Sequence, residues 1–134
     1  MKTLIALFLA GLAGAAAAAS PVQVRDAYVA EAASQNPAFK PSAERGAAFF
    51  RQRFAVSETM PACTSCHTEQ PGNAGRHAVT GKAIRPLAVA ANAERLSDPA
   101  KVEKWFGRNC KEVVGRACTA AEKADFVQFL LIGG

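Results

Sequence analysis

Residues 60–70 read MPACTSCHTEQ. Cys63 and Cys66 stand three positions apart, and His67 follows the second directly. The spacing has a chemical reason. Two thiols on one turn can add to the two vinyl groups on one side of a porphyrin. The next residue then brings a ring nitrogen onto the iron, where only a neutral imidazole can donate. Cys-x-x-Cys-His is the attachment sequence for c-type haem. Cys63 and Cys66 are therefore expected as thioethers to one covalent haem c, with His67 as proximal ligand. A zinc site would ask for four ligands, commonly as two C-x-x-C knuckles, but Cys110 and Cys118 are too far apart for a knuckle. A redox dithiol would ask for a βαβ setting, which is missing. A Cys63–Cys66 disulfide would leave His67 without a purpose.

Outward from the motif, residues 56–92 contain Pro61, Pro71, Gly72, Gly75, Gly81 and Pro86. Such a long irregular stretch in a small domain points to function, and wrapping a flat prosthetic group would explain it. The flanking segments read as helices. Residues 21–34 are helix-compatible and stop at Asn36-Pro37. Ser42 is placed to cap AERGAAFFRQRF, in which Ala43, Gly46/Ala47, Phe50 and Phe54 share a face. Asp98 and Pro99 start a helix on which Val102, Phe106 and Asn109 lie on one side, with Trp105 beside them. Thr119 and Glu122 form a capping box for a last helix with an apolar stripe at Ala124, Val127 and Leu131. No alternating strand of useful length occurs. The expected class is all-α.

The chain has 134 residues and a formal charge of +5. Lys2, the apolar run Leu4–Leu12 and Ala17-Ala18-Ala19 read as a signal peptide over residues 1–19, cut near Ala19–Ser20. That implies export to the periplasm and one domain over residues 20–134. The cations are dispersed singly, so no nucleic-acid-binding stripe is expected. In an oxidising compartment the second pair, Cys110 and Cys118, reads as a disulfide closing a short loop. It would contribute about 2–3 kcal/mol by restricting the unfolded chain.

A haem iron needs a sixth ligand or an open sixth position. The only methionines are Met1 and Met60, and none follows the motif. Met60 is tied too closely to Cys63 to reach the far face. The other donors are His77, the lysines Lys82, Lys101 and Lys104 if burial removed their proton, and Asn109. An amide on an apolar helical face must hydrogen-bond or do something else; for Asn109 a helix C-cap is the plain alternative.

The stretch VEKWFGRNCKEVVGRACTAAEKADFVQFL, together with AERGAAFF, CTSCH and TGKAIRPLA, resembles the sphaeroides haem protein type of oxygen-binding c-type cytochrome. The resemblance covers about residues 42–131. It implies a small class I-like helical domain around one haem, with haem cysteines Cys63 and Cys66 and proximal histidine His67. It implies that Asn109 is the second axial ligand when oxidised and leaves on reduction, opening a place for oxygen or another small ligand. It also implies the Cys110–Cys118 disulfide and matches Trp105 to a tryptophan of the same helix. Trp105 and Phe106 are expected to pack on the haem, and by analogy with class I cytochromes Pro86 would offer its carbonyl to the other nitrogen of His67. The implied electron supply is a multihaem c-type cytochrome fed by a membrane cytochrome b. The departures are a longer GNAGRHAVTG loop and His77 within it, which keep a simple electron shuttle with a permanently filled sixth site as the alternative. A ligand sensor, or turnover as a terminal haem reductase or oxygenase, also stays open.

Overall fold

The computed structural model describes residues 18–133. The signal-peptide reading falls, except for its last two residues, outside the described residues. In chain order the elements are α1 (Pro21–Gln35), α2 (Ala43–Arg51), α3 (Thr64–His67), β1 (Gly75–Arg76), β2 (Ala83–Ile84), α4 (Pro99–Asn109), a π-helical turn (Cys110–Val114) and α5 (Ala120–Leu131). Among the described residues no helix is long and apolar enough to cross a membrane.

The helix starts follow from local chemistry. The Ser20 hydroxyl accepts from Gln23 N–H while Gln23 accepts from Ser20 N–H, a reciprocal box, and Pro21 sits at the first helical position. Thr119 and Glu122 close the same box at α5. Asp98 Oδ1 accepts from Lys101 N–H ahead of α4. Helix α2 ends at Arg51, three residues before the apolar periodicity does. Phe54 N–H donates to Pro61 C=O (2.7 Å), which turns the chain back, while the Phe54 ring still meets Phe49 edge-on.

Helix α5 is the central element, with α1 and α2 packed against it. One cluster joins Val24, Tyr28, Val102, Ala124 and Val127, and a second joins Phe50, Phe129 and Leu130. Leu96 borders both. Aromatic rings run between them, from Tyr28 to Phe106 (5.7 Å between centroids), Phe126 (5.6 Å), Phe50 (6.0 Å) and Phe129 (5.6 Å). Phe129 and Leu130 are more deeply buried than Leu131, so the buried face of α5 is broader than the expected stripe.

The α2–α5 crossing has a polar bolt. Buried Asp125 accepts from Ser42 N–H (2.7 Å) and from Arg45 Nε (2.7 Å) and Nη2 (2.8 Å). Asp125→Ala is expected to cost about 1–3 kcal/mol, because it leaves the Ser42 N–H without its acceptor and frees the Arg45 guanidinium from the helix crossing. Denaturant unfolding should show a lower midpoint at unchanged slope; a change within about 0.5 kcal/mol would mean water replaces the carboxylate fully.

The one strand pairing among the described residues is the hairpin β1–β2, antiparallel with Gly75 opposite Ile84 and Arg76 opposite Ala83. Two-residue strands are too short to leave an alternation in sequence. The fold remains a small helical domain.

Candidate functional site

The attachment motif folds as a single helical turn. His67 N–H donates to Cys63 C=O (3.1 Å) and Thr68 N–H to Thr64 C=O (3.0 Å). Thr68 then adopts φ +61°, a left-handed conformation uncommon for a non-glycine residue. Its hydroxyl and Gln70 exchange hydrogen bonds, donating to Gln70 C=O (2.9 Å) and accepting from Gln70 N–H (3.2 Å). The turn therefore ends abruptly after His67. Cys63 packs against the Phe50–Phe129–Leu130 cluster.

Cys63 and Cys66 are not bonded to each other. Burial pushes the Cys63 thiol up to about 11, so it is a thiol and not a thiolate near neutral pH. This disfavours a redox-active dithiol. Burial also lowers His67 to about 4, with the positive charge of Arg95 adding to the effect. His67 is thus a neutral imidazole with a free lone pair across the physiological range.

The Pro86 carbonyl does not serve His67. It accepts from Arg95 Nε (2.8 Å) and Asn92 Nδ2 (3.1 Å), which use both of its lone pairs. Arg95 also donates to Arg85 C=O (2.7 Å). The partners six and nine residues downstream are delivered by the turns that follow Pro86, and they displace the expected imidazole contact.

Four positions singled out in the sequence lie on or beside α4. Along one face burial falls from Val102 (8% exposed) through half-buried Phe106 to exposed Asn109. Phe106 packs in the protein core against Tyr28 and Phe126. Trp105 does not: it is 43% exposed, with the Arg108 guanidinium 5.7 Å from its ring centroid. Asn109 is not a C-cap. Its backbone is right-handed (φ −69°, ψ −35°), the chain continues into the π turn, and its side chain makes no capping hydrogen bond. The left-handed cap is Gly115 (φ +82°), whose N–H donates to Cys110 C=O (3.0 Å). The structure brings the Cys110 and Cys118 sulfurs into bonding contact, with Cα atoms 5.7 Å apart, as disulfide geometry requires. The π turn was not read from the sequence, and such turns recur at functional sites.

The rival ligands fare differently. His77 Nδ1 accepts from Thr80 N–H (3.1 Å) and Val79 N–H (3.3 Å). That nitrogen is unprotonated, so Nε2 carries the proton and has no lone pair for a metal. Lys82, Lys101 and Lys104 are exposed. Among the described residues no cluster of three or more His, Cys, Asp or Glu side chains is arranged for a bare metal ion.

The donor set suits a haem c: two cysteines on one turn, a neutral imidazole after them, and an amide with no local cap to satisfy. Residues 36–130 match the family model described as a domain of unknown function (DUF1924). The chain is 46% identical to the cytochrome c-type protein SHP of Cereibacter sphaeroides, over 89% of this chain and 90% of that one. It superposes on oxidised SHP, an oxygen-binding cytochrome c, with TM-score 0.78 and 41% identity, over 86% of this chain and 98% of that one. It also superposes on the solution structure of Methylophilus methylotrophus cytochrome c'', a study of haem-ligand detachment, with TM-score 0.73 and 39% identity, over 83% and 91% of the two chains. The chain thus belongs to the DUF1924 family, among the c-type cytochromes that include SHP and cytochrome c'', and its cofactor is one covalent haem c.

Proposed function

We propose that this chain is an exported, periplasmic monohaem cytochrome in which Asn109 is a releasable axial ligand. Cys63 and Cys66 form the thioethers and His67 the permanent ligand. The bound haem supplies a one-electron couple and an axial position for a small ligand. The observation that carries the reading is Asn109 itself, an amide at the joint of α4 and the π turn with no capping hydrogen bond. A neutral amide oxygen is a weak, hard donor, suited to ferric rather than ferrous iron. The Cys110–Cys118 link braces the segment on its C-terminal side. An oxygen-binding relative and a relative studied for haem-ligand detachment lend support. Oxygen or a similar small molecule would take the place that Asn109 leaves on reduction, with electrons supplied by a multihaem c-type cytochrome fed from a membrane cytochrome b. The hydrogen bonds at His77 Nδ1 weigh against the shuttle with a permanent second histidine.

Asn109→Ala should leave the haem attached, since Cys63, Cys66 and His67 would still hold it. It should alter the ferric absorption spectrum and tighten ferric cyanide binding by about tenfold or more, because a competing internal ligand is gone. The reduced wild type should respond promptly to carbon monoxide. An unaltered ferric spectrum in the variant would sink the assignment of Asn109.

A further inference from the structure

Between Glu69 and Glu94 the chain has no acidic residue, yet it carries Arg76, Lys82 and Arg85. The β1–β2 hairpin in this stretch sits on the attachment turn. Ala78 N–H donates to Cys66 Sγ (3.2 Å), and Gly75 lies against the Cys66 carbonyl. In the holoprotein that sulfur is one of the thioether bridges. One residue beyond Ala78 is Val79, 63% exposed at the hairpin turn.

The two faces of the hairpin differ. Gly75, His77 and Ile84 are half-buried, whereas Arg76, Lys82 and Ala83 are exposed. Arg76 Nη1 donates to Gly81 C=O (2.7 Å), which fixes the guanidinium along the hairpin. Among the ion pairs of the described residues neither Arg76 nor Lys82 appears, while Arg85 is engaged by Glu94 (2.7 Å). Two unpaired cations thus flank an exposed apolar residue next to the sulfur that tethers the cofactor. Another basic surface, α4 with the π turn after it, is interleaved with Glu103 and Glu112.

We propose that the outer face of the β1–β2 hairpin docks the acidic face of a one-electron redox protein. Arg76 and Lys82 steer the partner, Val79 gives a dry contact, and the N–H···S contact from Ala78 couples that contact to the cofactor. The exchange is one electron: the reduced partner loses it, the haem iron passes from ferric to ferrous, and no atom is transferred. This rests on the monohaem reading above.

The test is stopped-flow reduction of the ferric holoprotein by a reduced, strongly acidic ferredoxin at low ionic strength. Arg76→Glu/Lys82→Glu should slow the second-order rate by about tenfold or more, and the neutral pair Arg76→Gln/Lys82→Gln by about threefold. Lys101→Glu/Lys104→Glu, with the same change in net charge on α4, should slow it less than about twofold. The wild-type advantage should vanish near 0.5 M salt, where the screening length is only about 4 Å. Reduction by the cationic hexaammineruthenium(II) should not be slowed by the hairpin variants, which shows that the haem is intact. Equal slowing by the hairpin and α4 variants, or slowing by α4 alone, would overturn the docking surface. A preparation with no Soret band would overturn the monohaem reading itself, a result distinct from equal rates.

Discussion

Gly75→Ala is expected to cut the yield of haem-loaded protein by about tenfold, with the apoprotein destabilised by about 3 kcal/mol. A Cβ at Gly75 would overlap the Cys66 carbonyl oxygen and lie 3.1 Å from both the Cys66 carbonyl carbon and His67 Cα. All three are backbone atoms, so no rotamer change relieves the overlap. Either β1 must lift off the attachment turn or the turn must deform. Deformation would misplace the Cys66 thiol and the His67 ring together, since the two residues are adjacent. The ratio of Soret absorbance to total protein after expression with the haem-attachment machinery reads the effect. A normal ratio would show that the hairpin can move away without disturbing the motif. Gly72→Ala is the matched control, because a Cβ there meets nothing within 4 Å.

The second large effect is expected at the helix crossing. A Cβ on Gly46 would overlap the Asp125 carbonyl oxygen and approach its carbonyl carbon (2.6 Å) and Phe129 Cβ (2.9 Å). Helices α2 and α5 touch there backbone to backbone. Gly46→Ala would force them apart, loosening both the Phe50–Phe129 contact and the Arg45–Asp125 bolt. A cost of about 3 kcal/mol or more is expected, lowering Tm by more than about 10 °C in a domain of this size. In an ordinary helix interior the same substitution would stabilise by up to about 1 kcal/mol through propensity. The sign of the shift therefore decides between close helix contact and propensity: a raised Tm would mean that α2 has room to slide.

What was readable before any coordinates was what the chain builds from neighbours. The haem motif needs only residues 63–67, one turn of helix that makes its own hydrogen bonds. The caps at Ser42, Asp98 and Thr119 are three-residue chemistry and were all legible. The lack of a methionine after the motif, which turned attention to Asn109, is a property of the list of residues. What was not readable depends on partners far apart in the chain or on small changes in backbone register. Arg45 and Asp125 are 80 residues apart, so nothing in the neighbouring sequence marks the aspartate as buried. The π turn shifts a hydrogen bond by one residue, and only the Gly115 and Cys118 closure shows why it is kept. The Pro86 carbonyl could not be traced to Asn92 and Arg95 until the intervening turns were placed. The sequence alone determined the cofactor class and pointed to the residues expected to tether it, because such bonds are local and chemically specific. Tertiary structure alone decided which backbone groups remain free around them and which surface lies over the Cys66 sulfur, because close packing assigns each carbonyl and each face to whichever neighbour reaches it.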